Sequence, residues 1–289
     1  MTYLIVTSLI WAFSFGLVKG NLTSLEPNFV ACARLAIALP LFLPFLRLKG
    51  IPSKTIFRFI AIGAIQYGAT YSLYMTAMQY LNAYEAALFT IFTPLYVSLI
   101  YDLYEKHFSI FHFGMAGLAV LGAAIIKYSN TSFGDIFLGF VLMQISNICF
   151  SFGQIDYKRI RARHPEFKDH QVYALLFVGA VIVTALATTG AQGWGSIQEL
   201  TSKQVATLLY LGALATGLGF FLWNKGAVIT NAGTLAVMNN LKIPLAVACS
   251  LLVFGESTDI PRLLLGGGVM ILAIVLNEWH KPYEKKSEN

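Results

Sequence analysis

Ten apolar stretches follow one another along this chain with almost nothing between them. They run over residues 2–20, 28–47, 56–80, 84–104, 109–127, 134–157, 171–190, 203–226, 231–254 and 260–279. Each is close to the roughly 20 residues a helix needs to cross a hydrocarbon core. The connecting loops reach only about a dozen residues, so no soluble domain is left to hold a conventional active site. Composition agrees: 57% of the chain is hydrophobic and 12% charged, against about 25% charged in soluble domains. The expected fold class is all-α integral membrane, with ten transmembrane helices.

The net charge of +6 does not call for nucleic acid, because the basic residues collect in particular loops. With the N-terminus inside, the inner loops and tail hold 14 of the 20 Lys and Arg, and the outer ends hold 4, namely Lys19, Lys127, Lys203 and Arg262. That bias follows the positive-inside rule. An even number of spans brings both termini to the cytoplasm, and a plasma (inner) membrane location is expected. The first stretch starts almost at Met1 without a basic leader, so it is expected to stay as a span. Cys32, Cys149 and Cys249 fall inside apolar stretches and read as packing residues, not as a disulfide set or a metal site.

The two halves of the chain echo each other. Phe13-Ser14-Phe15-Gly16 in the first span returns as Phe150-Ser151-Phe152-Gly153 in the sixth. Ala77 precedes Pro94-Leu95 by the same 17 residues that separate Ala227 from Pro244-Leu245, and an acid follows each proline span, Glu105 and Glu256. Repeats of five spans, 1–130 and 131–280, followed by a short cytoplasmic tail at 281–289, would enter the membrane from opposite sides. Such inverted repeats are the plan of many secondary transporters, whose site lies between the halves near the midplane.

The ninth span carries the strongest functional signal. Asn239, Asn240 and Lys242 sit near its middle, just before Pro244. At about 1.5 Å per residue, Lys242 is roughly 15 Å from either end, too deep to snorkel easily. A cation there costs a few kcal/mol at least, so it should face a cavity or a partner. Pro244 removes a backbone donor, which something nearby must make good. Together these residues read as a midplane binding site with a helix break. The plainer reading is that Lys242 pairs with a carboxylate, or stays neutral, and locks two helices together.

Longer motifs bring in a family. Trp11-Ala12-Phe13-Ser14-Phe15-Gly16 ending in Lys19, Pro27 followed by Ala33-Arg34, Ala77 through Ala86 to Thr93-Pro94, and Leu222-Trp223-Asn224 through Pro244 to Gly255-Glu256 resemble the EamA-type family of the drug/metabolite transporter superfamily. The resemblance covers essentially the whole chain. It implies ten helices in two inverted five-helix repeats, alternating access, and a cavity lined mainly by helices one, three, four, six, eight and nine. It implies export or uptake of small metabolites such as amino acids, amines, carboxylates or nucleoside-like compounds. A lysine at position 242 departs from the family's usual uncharged or acidic residue.

Further candidates follow from helix faces. Gln144, Asn147, Ser151 and Gln154 recur at steps of three and four, forming one polar face of the sixth span. Such a face lines a cavity or bonds to neighbouring helices. Tyr67, Tyr71 and Tyr74 do the same in the third span, with an interfacial belt as the competing reading. Trp11 lies mid-span, where a belt explains little. Ser14 beside it and Asn224 near the end of the eighth span complete the expected substrate set of Trp11, Ser14, Tyr71, Tyr74, Gln144, Asn147, Ser151, Asn224, Asn239, Asn240 and Lys242. Pro94 and Pro244 are the expected helix breaks. Arg34 reads as a snorkelling or helix-pairing cation, and Glu85 as a first-turn acid favoured by the helix dipole.

Gly266-Gly267-Gly268 lacks the strand–turn–helix context of a phosphate loop, so no ATP-driven step, cofactor or metal is expected. The expected function is secondary transport of small organic metabolites, in the direction of export, with a proton as the candidate coupling ion. Carboxylate-bearing solutes, including amino acids, are favoured by Lys242. An exporter of amines or cationic drugs is the alternative within transport. From another class comes a non-transporting scaffold or intramembrane enzyme, for which no nucleophile or metal cluster appears at one depth.

Overall fold

The computed structural model describes residues 2–104, 133–230, 232–257 and 259–279, with four single positions between 104 and 133. The expected fifth span, Glu105 and the tail at 281–289 lie outside the described residues. Among the described residues every regular element is helical.

The first helix, α1, covers Thr2–Asn21. Its Leu9 and Phe13 are exposed, while Thr7, Ser8, Trp11 and Ser14 are buried. Thr7, Ser8 and Ser14 face inward among apolar neighbours, as suits a helix whose surroundings are lipid and whose polar groups need protein partners. α2 covers Pro27–Ala38. Glu26 caps it, accepting from the N–H groups of Asn28 at 3.0 Å and Phe29 at 2.6 Å, and Pro27 occupies the first turn, where its missing N–H costs nothing.

Four expected spans are not uniform α-helices. The second turns to 3-10 geometry at Leu39–Leu41 and Leu43–Phe45, where Pro40 and Pro44 withhold α-helical donors. The third is α3 (Ser53–Gly63), a π-helical stretch at Ala64–Ala69, and α4 (Thr70–Tyr80). The fourth is α5 (Ala83–Phe89), a 3-10 turn at Thr90–Phe92, and α6 (Thr93–Tyr104). α7 (Phe133–Arg163) outruns its expected end, and α8 covers Asp169–Gly190. The eighth span repeats the pattern of the third: α9 (Ser202–Tyr210), a π-helical stretch at Leu211–Leu218, then α10 (Gly219–Ile229). α11 (Ala232–Leu252) and α12 (Ile260–Trp279) complete the described chain.

The two prolines expected to break helices behave differently. At Pro94 the break is made. The Thr90 carbonyl, which an α-helix would pair with the absent Pro94 N–H, accepts instead from the Thr93 N–H and from Thr93 Oγ1 at 2.7 Å. Pro244, by contrast, lies inside the continuous α11 and does not end it.

Among the described residues five helices are long and apolar enough to cross a membrane: Thr2–Asn21, Pro27–Phe45, Phe137–Arg163, Asp169–Gly190 and Ser202–Ile229. Close backbone approach holds the bundle together. A Cβ on Gly63 would fall 1.9 Å from the Leu176 carbonyl oxygen, and one on Gly179 would fall 1.9 Å from that of Ile60. α3 and α8 can therefore touch backbone to backbone, which is how helices gain contact where lipid removes the hydrophobic drive. Aromatic rings fill the middle, with Tyr67 stacked on Phe220 at 4.3 Å.

Candidate substrate cavity

A cavity of about 590 Å³, counting its open mouth, lies within the bundle. Trp11, Ser14 and Phe15 line it from α1, and Thr70, Tyr71 and Tyr74 from α4. The broken fourth span adds Thr90 and Thr93. α7 adds Met143, Ser146, Asn147 and Phe150, α10 adds Phe220, and α11 adds Lys242. The lining therefore comes from the expected first, third, fourth, sixth, eighth and ninth spans.

Lys242 is 6% exposed. Its Nζ lies 5.1 Å from the Trp11 ring centroid, 5.8 Å from that of Trp223 and 6.0 Å from that of Phe150. Each ring face attracts the ammonium by roughly 0.5–2 kcal/mol. Among the described residues no acidic side chain lines the cavity, so the rings cradle this cation without neutralising it.

A second cation stands behind the wall. Arg34 is 1% exposed, so it does not snorkel. Its Nη2 donates to the Tyr71 hydroxyl at 2.9 Å and its Nε to Thr216 Oγ1 at 3.2 Å, and its guanidinium lies 4.6 Å from the Tyr71 ring centroid. Arg34 Nη1 is buried with no hydrogen-bond partner among the described residues. Tyr71 and Thr216 also bond each other at 3.1 Å. Both π-helical stretches serve this wall. Tyr71 follows the first by two residues, and the second contains Thr216 and the Ala215 carbonyl, which accepts the Trp11 indole N–H at 2.8 Å. Widened turns of this kind recur at functional sites.

Of the expected substrate residues, Trp11, Ser14, Tyr71, Tyr74, Asn147 and Lys242 meet at the cavity. Gln144, Ser151 and Asn224 stand outside its lining, and each makes hydrogen bonds to nearby groups instead. Gln144 Oε1 accepts from the Tyr96 hydroxyl and from Asn147, both at 3.2 Å. Ser151 donates to the Thr93 carbonyl at 3.3 Å. Asn224 donates to the Tyr67 hydroxyl at 2.7 Å and accepts from Gln66 at 3.0 Å. The side chains of Asn239 and Asn240 lie outside the described residues.

Sequence reasoning missed Phe15, Thr70, Thr90, Thr93, Met143, Ser146, Phe150 and Phe220. In α7 the reason is a rotation. The cavity face runs through Met143, Ser146, Asn147 and Phe150, and the polar face through Gln144, Asn147, Ser151 and Gln154, so only Asn147 is shared. Phe150 and Phe220 carry no polar signal at all.

The sequence model of the EamA-like transporter family matches residues 1–128 and 137–279. The chain belongs to the EamA-like transporter family. This transporter is similar to a probable biotin transporter of Pseudomonas aeruginosa, with 37% identity over 96% of this chain and 97% of the relative. It is 36% identical to a biotin transporter of Salmonella typhimurium over 98% of this chain and 94% of the relative. It is 35% identical to a biotin transporter of Escherichia coli (strain K12), with the same two coverages. A protein of known crystal structure shares the fold at a TM-score of 0.62, with 14% identity and 96% of each chain covered. This EamA-like protein is thus a multi-pass membrane transporter of a small molecule and not an enzyme.

Proposed function

We propose that this EamA-like transporter carries biotin, or a carboxylate of similar build, by alternating access between inverted repeats at 1–130 and 131–280. Lys242 carries the reading. Its ammonium stands among Trp11, Trp223 and Phe150 with no acid in the cavity lining among the described residues, so a bound carboxylate would supply the missing counter-charge and be tightly held by the low dielectric. Biotin ends in an ionised carboxylate on an aliphatic chain and carries a largely apolar bicycle, a fit to a lysine set among aromatic rings. The names of the relatives at 35–37% identity point the same way. A free amino acid adds an ammonium, and an amine or cationic drug brings only cations, for which the lining offers no acid.

The repeat reading is supported by the π-helical stretches at matching places in the third and eighth spans and by the two segments that the family model matches. The distribution of Lys and Arg supports an inner-membrane location with both termini cytoplasmic.

The test is thermal stabilisation of the purified protein by biotin and by biotinamide, which lacks the carboxylate. A ligand at 100 times its dissociation constant adds about 2.7 kcal/mol. Biotin should stabilise the wild type more than biotinamide does, and Lys242→Met should abolish the difference while leaving the protein folded. An unchanged response to biotin in Lys242→Met would make Lys242 structural. Direction is read separately, in vesicles of known sidedness. Export, the expected direction, requires efflux faster than uptake at equal gradients, and the reverse ratio makes the protein an importer. Flux that follows an imposed pH gradient would make the proton the coupling ion.

A further inference from the structure

Asn147 is 5% exposed and lines the same cavity as Lys242. Its amide nitrogen is fully engaged. Nδ2 donates to the Phe89 carbonyl at 2.9 Å and to Gln144 Oε1 at 3.2 Å, and an amide NH₂ has two hydrogens to give. The side chain is therefore clamped by its donor end, and the group left for a ligand is the acceptor, Oδ1.

The clamp traces back to Pro94. An α-helix through this span would pair the Phe89 carbonyl with the Thr93 N–H. That N–H turns to Thr90 instead, as part of the compensation for the proline. The Phe89 carbonyl, no longer paired with the Thr93 N–H, accepts from Asn147 in α7. Gln144 is held in turn by the Tyr96 hydroxyl at 3.2 Å, so the line Tyr96–Gln144–Asn147 fixes which way the amide faces. A freely rotating amide would offer donor or acceptor to suit any ligand. This one has its choice made by the protein.

We infer that Asn147 is a specificity-determining residue that accepts a hydrogen bond from an N–H group on the substrate body, while Lys242 holds the carboxylate. The inference rests on the carboxylate reading of the cavity and adds the chemistry of the other end: a cyclic urea or lactam N–H, with Gln144 as the positioning residue. The Phe150 ring belongs between the two polar ends. It lies 6.0 Å from Lys242 Nζ and one helical turn beyond Asn147. Biotin has a cyclic urea at the end remote from its carboxylate. Lipoate has a comparable acid chain and a sulfur ring but no N–H.

The experiment compares equilibrium affinities of the purified full-length protein for biotin and lipoate. The wild type should prefer biotin by about tenfold or more. Asn147→Ala should lower that ratio about tenfold by weakening biotin and leaving lipoate unchanged, a pattern that general loosening of the fold would not produce. Gln144→Met, which frees the amide to rotate, should move the ratio the same way by a smaller factor. An unchanged ratio in Asn147→Ala overturns the inference, as does a wild type that does not discriminate. If Asn147→Ala does not fold, Gln144→Met decides on the same criterion. A wild type that binds biotin but shows an unchanged ratio in the variants removes this inference alone. A wild type that binds neither acid removes the carboxylate reading as well.

Discussion

Two buried cations serve one cavity, and they are stabilised in different ways. Lys242 rests against ring faces, an arrangement that leaves its three N–H groups available to a ligand. Arg34 is tied by Tyr71 and Thr216 and stands a layer further back. One of its terminal nitrogens already lacks a partner among the described residues, so losing another donor site should be costly. Tyr71→Phe keeps the ring over the guanidinium and removes only the hydroxyl. It should destabilise the protein by about 1–3 kcal/mol, the usual penalty of an unsatisfied buried polar group, read as a lower unfolding midpoint in denaturant. Adding Thr216→Val should cost less than its single effect predicts, since both hydroxyls belong to one network. Additive losses would show that Arg34 does not couple them.

The elements that position the cavity are the irregular ones. Each π-helical stretch carries extra residues in its turns and so resets the rotation of the helix after it. Deleting one residue from the first, Ile65 for example, should let the span relax toward α geometry and turn α4 by about 100° relative to α3. Tyr71 and Tyr74 would then leave the cavity, and stabilisation by biotin should fall at least tenfold in apparent affinity while the protein still folds. Retained binding would mean that the widened turn does not aim them. No sequence pattern announced these turns. Residues 64–69 (AIQYGA) and 211–218 (LGALATGL) mix apolar residues and glycines with single polar ones such as Gln66 and Thr216, a composition ordinary membrane helices share. The prolines make the same point. Pro94 and Pro244 sit at equivalent spacings, yet only Pro94 breaks its helix, because the outcome depends on local donors such as Thr93 that spacing alone does not weigh.

Across the whole molecule, five membrane-long helices among the described residues and the buried cation were legible in the sequence, because hydrophobic length and buried charge are properties of single segments. The cavity lining was legible only where a residue was polar and faced inward for that reason, as with Asn147 and Lys242. Phe150 and Phe220 became lining residues through their neighbours. Glu256 shows the same limit. In the sequence it is only the acid that follows the second proline span, whereas its carboxylate accepts the N–H groups of Ala83 at 2.9 Å and Tyr84 at 3.1 Å at the start of α5, in the other half of the chain. The Ser250 hydroxyl donates to the same carboxylate. Here Phe254 also occupies the space that a side chain at Gly16 would need. Glu256→Ala should therefore raise amide hydrogen exchange in the segment 82–90 about tenfold, the equivalent of losing a capping interaction of roughly 1 kcal/mol or more. Exchange equal to wild type would make the contact incidental. Of the four tryptophans of the chain, Trp11 and Trp223 lie against Lys242, and Trp194 is exposed beside α8. Any carboxylate that draws the ammonium toward itself changes the electric field on both flanking indoles at once. The emission of those rings thus becomes a label-free optical record of occupancy, written by the same residues that hold the charge.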